Sequence, residues 1–176
     1  MSNLRLINDT TITSGVSIVS ITDVFSENFE VYKIVANNIS TVGTTQTDPN
    51  LRFINSSGSA VNTLYDYGHQ IMRADSGFTE QYATGQAQLY RYFGESVDQA
   101  PESQGSETYI FNPYESNLHT YALYQSMTSS AGLHLSMKGI GVQRTAGSMT
   151  GFQVIDSNGS RPFSSGNIKT YGLRVD

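Results

Sequence analysis

The stretch GLHLSMKGI, residues 132–140, alternates strictly: Leu133, Leu135 and Met137 fall on one side, His134, Ser136 and Lys138 on the other. Successive side chains of extended backbone point to opposite faces, so an apolar period of two predicts a half-buried strand. The pattern recurs. TYALYQS sets Tyr121 and Leu123 against Ala122 and Tyr124, while FEVYKIVAN and ETYIFN are aromatic and β-branched runs of strand length. Strands are expected at 17–22, 29–37, 50–54, 68–74, 86–93, 106–112, 119–126, 132–140, 149–155 and 167–175. About ten short strands at this spacing predict an all-β fold, a single-domain antiparallel β-sandwich of jelly-roll type over residues 1–176. Residues 1–15 are expected as an extended N-terminal segment.

The connections support this architecture. INSSGSAV, YFGESVDQAPESQGSE, FNPYESN and IDSNGSRPFSSGN collect the Gly, Pro, Asn and Ser that turns use. None has the length of an interdomain linker. TDVFSENFE is expected to carry one helical turn capped by Thr22 or Ser26, and QAPES another. FINSSGS at 53–59 and VIDSNGS at 154–160 share one form, which reads as a repeated strand-exit turn or as a coincidence of two Ser/Gly turns.

At 176 residues the chain can bury roughly two-thirds of its unfolded surface, enough for a core without metal or disulfide staples. It has no Cys, which excludes a disulfide scaffold and a thiolate zinc site. The start, MSNLRLINDTTITSG, lacks a basic region followed by an unbroken apolar run, so no export signal is expected, and no apolar run approaches the ~20 residues that span a bilayer. The sequons at Asn8, Asn38, Asn55 and Asn158 then reflect only an Asn- and Ser-rich chain. A net charge of −5 with singly scattered Lys and Arg argues against nucleic acid as a partner.

The search for chemistry is mostly negative. His69, His119 and His134 lack HxH or HExxH spacing and read as one outward strand residue, His134, and two residues near strand ends. GSMTG at 147–151 has Met where a nucleophile elbow needs Ser, and GIG at 139–141 lacks the third glycine of a dinucleotide fingerprint. Asp156, Asn158 and Ser160 have the alternate-oxygen spacing of a calcium loop, without its distal Glu. Glu95, Asp98, Glu102 and Glu107 fall in the most polar segment and read as a solvated loop rather than an acid/base pair. No catalytic residue, cofactor or metal site is therefore expected. Tyr65, Tyr67, Tyr82, Tyr90, Tyr92 and Tyr114 lie in or beside predicted loops and are the candidate interface or binding residues, since Tyr offers large contact area with a polar tip.

The segments LRLINDTTITS, RFINSSGSAV, YIFNP and above all TGFQVIDSNGSRPFSSGNIKTYGLRV resemble small β-sandwich virion structural proteins of tailed bacteriophages. The likeness is most specific in a TGF strand, a polar turn, an F-x-S-G-x-I element and a last strand ending Y-G-L. The resemblance implies a particle component of the head-decoration, head-fibre or tail-fibre knob kind, located in the virion and binding other virion proteins such as the major capsid protein. Analogy with viral sandwiches suggests a homotrimer. Within the last strand, Ile168, Tyr171 and Leu173, with Val175, are expected to lock the chain end into a sheet after a Ser165–Gly166 turn, with a bulge near Lys169 and Thr170. Two other classes fit the composition: a sandwich that binds host-surface glycans through exposed Tyr faces, and a polysaccharide-degrading enzyme.

Overall fold

The structure, a computed structural model, describes residues 3–13, 15–42, 48–94, 104–130, 132–157 and 161–174. Eleven strands form: β1 Leu4–Ile12, β2 Ile18–Ile21, β3 Val31–Thr41, β4 Pro49–Asn55, β5 Tyr65–Arg73, β6 Gly77–Gln86, β7 Gln104–Phe111, β8 Thr120–Ser130, β9 Leu133–Gln143, β10 Met149–Asp156 and β11 Phe163–Leu173. Every pairing is antiparallel. Eight strands make one sheet in the order β1-β11-β3-β7-β8-β9-β5-β6, and β2-β10-β4 make a second. The fold is an all-β sandwich of unequal layers. No helix occurs among the described residues.

The alternation of the sequence sorts residues between the two faces of the large sheet. Leu135 and Met137 of β9, Ala122 and Tyr124 of β8, and Tyr32, Ile34 and Ala36 of β3 all point inward and are buried. They meet Phe53 of β4 and Phe152 and Val154 of β10, in one continuous cluster. Aromatic contacts stitch the layers. Phe53 lies 6.2 Å from the Tyr65 ring, and Phe25 lies 6.0 Å from Phe152 and 4.8 Å from Tyr32.

Phe25 belongs to the segment expected to carry a helical turn. The segment is instead irregular, bent at Asp23 and turned at Glu27–Asn28, because Val24 and Phe25 insert into the core while their amides both donate to Thr150 O of β10. The Tyr32 hydroxyl fixes it further, accepting from Ser26 N at 2.7 Å and donating to Ser26 O at 2.8 Å. Backbone groups tied to a neighbouring strand cannot close a helical turn. The QAPES turn falls outside the described residues.

Three strand expectations need correction. Residues 4–12, assigned to an extended segment, form β1. Residues 77–86 form β6, whose GFTEQYATGQ sequence has no buried face to betray it. Residues 86–93, dense in aromatics, are not a strand: only Leu89 bridges to Leu51, and Tyr92 and Phe93 turn into the core. The expected positions of Glu107 and His69 also change. Glu107 sits in β7, not in a loop, with Lys33 Nζ at 2.5 Å. His69 sits in mid-β5, buried, rather than near a strand end.

The last strand is β11, and it is interior, with β1 on one side and β3 on the other. Ile168, Thr170 and Gly172 face inward while Tyr171 and Leu173 face outward, so the mismatch of phase between Ile168 and Tyr171 is plain alternation. The expected bulge near Lys169 and Thr170 is absent from β11: its register with β3 is regular from Asn167 to Leu173. The irregularities lie around Ser165, inside the strand rather than in a turn before it, and on β1, where Ile7 is the extra residue opposite Thr170 and Tyr171. Val175 lies outside the described residues. Of the two related exit turns, Asn55 Oδ1 closes the first by accepting from Ser57 N and Ser59 N, at 3.1 and 3.0 Å. Residues 158–160 of the second are outside the described residues, as are Asn158 and Ser160 of the calcium reading. Asp156 itself is buried, and its Oδ2 accepts from Arg161 N at 3.2 Å.

The two glycines of GIG have a packing reason. A Cβ on Gly141 would lie 2.5 Å from Tyr92 Oη and 2.6 Å from Leu89 Cδ2, and one on Gly139 would lie 2.5 Å from His69 Cβ and 2.6 Å from Tyr124 Cε1. Aromatic rings rest directly on β9 backbone there. Gly141→Ala is therefore expected to destabilise the fold by about 1–3 kcal/mol through overpacking. Gly147→Ala, with nothing within 4 Å of the added carbon, should change stability by less than ~0.5 kcal/mol. Urea titrations of the two variants check this. Truncation after Gly166 removes the middle of a three-strand run and strands β1, at a cost on the order of several kcal/mol from lost burial. That is a large share of the ~5–15 kcal/mol available to a small domain. An aggregated or unfolded product by size-exclusion chromatography and circular dichroism is expected.

Candidate functional site: the outer face of the large sheet

The six candidate tyrosines do not assemble into one patch. Tyr65 and Tyr92 are core residues. The Tyr65 hydroxyl accepts from Phe53 N at 2.8 Å and donates to Val61 O at 3.0 Å, and the Tyr92 hydroxyl donates to Ala122 O at 3.1 Å. Burial raises both phenol pKa values, which suits anchors rather than contact residues. Tyr67 and Tyr90 are half-buried on the inner side and pack 6.1 Å apart. Tyr90 donates to Asp48 Oδ2 at 2.5 Å, and Arg91 Nε meets Asp48 Oδ1 at 3.0 Å, latching the 87–94 segment. Burial first, and then Asp48, push the Tyr90 pKa up to about 12. Tyr114 lies between β7 and β8, partly exposed. Only Tyr82, 79% exposed on β6, stands on a broad apolar surface.

That surface is the outer face of the eight-stranded sheet, and cross-strand register builds it. One row runs Leu6, Tyr171, Lys33, Tyr109, Leu123, Ile140, Gly68 and Tyr82, one residue from each strand from β1 to β6. A second runs Leu4, Leu173, Val31, Phe111, Tyr121, Val142 and Asp66. Residues directly opposite on one face stand ≈ 4.5–5.5 Å apart at Cβ, so each row is a contiguous ladder of side chains. Lys33 interrupts the first only in name. Its Nζ lies 5.2 Å from the Tyr109 ring centroid and pairs with Glu107 beside it. Hydrogen bonding to Lys33 holds the Glu107 pKa below its ordinary value, and Glu107 raises that of Lys33, while Gln125 also donates to Glu107. Tyr171 and Leu173, expected as C-terminal anchors, thus contribute to this face, whereas Ile168 anchors the inner one.

The face is grooved where Gly68 lacks a side chain between Ile140 and Tyr82. A trough of about 500 Å³ opens there, walled by Tyr82, Tyr121, Leu123 and Val142. The carboxylate at its rim is already engaged: Asp66 accepts from Gly85 N at 2.7 Å and from Arg144 Nε at 2.9 Å. The lining is therefore hydrocarbon and ring. The sequence held a signal for this surface in TYALY, which is apolar on both faces of its strand, as strands covered on both sides are. Ala122 and Tyr124 are buried on one face, and Tyr121 and Leu123 are exposed on the other.

Behind the trough, on the inner side, His69 stacks on Tyr67 at 5.6 Å and meets Tyr124 edge-on at 6.1 Å. Its Nε2 lies 3.3 Å from Gln81 Oε1 of β6, and Nδ1 is buried without a hydrogen-bond partner among the described residues. Burial lowers the His69 pKa below 6.5, with Arg91 adding to the shift and Gln81 and Asp48 opposing it. No three His, Asp or Glu side chains gather as a metal site among the described residues. A lowered histidine pKa favours the neutral form in the folded state, so its stabilising effect is complete above the unfolded value near 6.5 and is lost as pH falls through the folded value. The melting temperature should decline between neutral pH and about pH 5, and His69→Gln should flatten that decline; calorimetry against pH reads both.

No family model and no curated protein matches the chain. Among solved structures, chains of the Gx and Gt strains of infectious bursal disease virus overlay 97% of this chain at 14% and 11% identity, with TM-scores of 0.19 and 0.15. The chain spans 40% and 36% of their lengths. Overlays of that quality carry no argument about fold or role.

Proposed function

We propose that the chain is a non-catalytic structural subunit of a virus particle, one that sits on the outer surface of a tailed-phage capsid and docks through the outer face of its large sheet. The observation that carries this reading is the pair of largely apolar and aromatic rows, one crossing all eight strands and the other seven, with Ile140 64% exposed in the first. Monomeric proteins rarely leave contiguous apolar surface of this extent without a partner. The resemblance of the C-terminal stretch to phage virion proteins supplies the particle.

The glycan-binding alternative draws on the exposed Tyr82 and Tyr121 rings, but a sugar site needs free polar groups beside its rings to orient hydroxyls. The Asp66 carboxylate beside the trough is tied to Arg144 and to the Gly85 amide. A hydrocarbon-lined trough suits a protein surface better.

Mass spectrometry of purified particles of a phage encoding this chain, with immunogold labelling in negative stain, is expected to find the protein on the particle exterior. Its absence from the particles would overturn the reading. Ile140→Asp, at an exposed position, should leave the melting temperature nearly unchanged yet weaken co-sedimentation with particles by about tenfold or more. A glycan array should give no signal that Tyr82→Ala removes.

A further inference from the structure

We propose that β6 pairs with β6 of a second copy of this chain, antiparallel about a two-fold axis, so that two eight-stranded sheets become one. This stands apart from the particle reading and holds whatever surface the pair then meets.

The argument is a comparison of the four sheet edges. An unpaired strand offers a row of N–H and C=O groups to any passing chain, and proteins protect such edges by shortening, bulging, charging or covering them. Three edges here are protected. β2 has four residues. β4 is covered on its free side: Leu51 and Leu89 exchange backbone bonds at 3.0 and 2.9 Å, Val61 N donates to Phe53 O at 2.9 Å, and Phe93 N to Pro49 O at 3.2 Å. β1 carries Arg5 and Asp9 and is broken by the bulge at Ile7.

β6 is the least protected edge: over Gly77–Ala83 it is neither short nor bulged nor covered by another described segment, and one charge alone marks it. Its register with β5 is regular there, it contains neither Pro nor Lys, and Glu80 is its sole charge. Among the described residues it pairs with β5 alone, and every residue of it is exposed or half-exposed. Phe78 and Tyr82 are 68% and 79% exposed. A backbone edge of ~23 Å buries less than the roughly 800 Å² per partner of a standard interface, and these two rings supply the apolar remainder.

Closure and charge both fit a second copy. Continuing the sheet head to tail onto β1 of another copy leaves a free β6 edge at the far end and so propagates without closing, and it uses the charged, bulged edge. A two-fold near Gln81 sets Tyr82 opposite the second copy's Glu80 and holds the two carboxylates apart. The operation is isologous and closes at two copies, a pair rather than the trimer suggested by analogy. It also keeps both outer faces on the same side.

Light scattering coupled to size exclusion is expected to give a dimer mass for the full chain. Tyr82→Lys, at an exposed position, should weaken self-association by about tenfold or more, while Leu6→Lys on β1 should not. The chain has no cysteine, so single introduced thiols report cleanly. Mild oxidation of Glu80→Cys, Gln81→Cys and Tyr82→Cys should cross-link at least one of the three into a covalent dimer, with Asp9→Cys staying monomeric. A monomeric wild type, a higher oligomer insensitive to Tyr82→Lys, or preferential cross-linking at Asp9 would each overturn the proposal. Loss of particle binding with the dimer intact would instead fault the particle reading alone.

Discussion

A three-stranded sheet laid on an eight-stranded one leaves most of the larger sheet uncovered, and the rest of this molecule is arranged around that mismatch. At the usual strand spacing the large sheet is roughly 34 Å wide from first to last strand and the small one roughly 10 Å. Connecting segments must finish the inner face. Val24 and Phe25 plug it from the segment before β3, and Leu89, Tyr92 and Phe93 from the segment after β6. Tyr92 and Leu89 reach β9 because Gly141 leaves room for them, and Gly139 likewise admits Tyr124 of β8. The inner face also tolerates hydroxyls: those of Ser106, Thr108 and Ser126 lie buried without hydrogen-bond partners among the described residues. At the far edge cover stops, and β6 overhangs.

The same mismatch explains what the sequence could reveal. Strands with one buried and one solvated face carry a clean alternation, and β9 was legible for that reason, while β8 and β3 showed themselves by aromatic and β-branched runs of strand length. β6 was not, because a strand with no buried face has no hydrophobic period to display. The 86–93 segment misled in the opposite direction: Tyr90, Tyr92 and Phe93 give it strand-like composition, yet their rings fill gaps left by a narrow lid. Glu107 falls inside the strand expected at 106–112, and only its nearness to Glu95, Asp98 and Glu102 groups it with the polar loop; it faces outward between the inward Ser106 and Thr108.

The candidate surface was legible only in part. Counting tyrosines near loops could not separate Tyr65 and Tyr92, whose hydroxyls find backbone partners in the core, from Tyr82 and Tyr121, whose rings face out. The row structure depends on register, which is a long-range property: Leu6 and Tyr82 share a line only through six intervening strands. Composition carries no such information. The two-faced apolar pattern of TYALY predicts only a strand, although it holds apolar residues for both faces of β8.

β1 and β11 are adjacent and antiparallel, with Leu4 opposite Leu173 and Arg174 N donating to Asn3 O at 3.0 Å. Both ends of the described chain therefore leave from one corner of the large sheet. A pull applied through that corner loads the ladder one rung at a time, so β1 peels from β11 before the plugged core bears any tension. Held by both ends to a common support, the sandwich hangs from a single point, with its aromatic face free to turn.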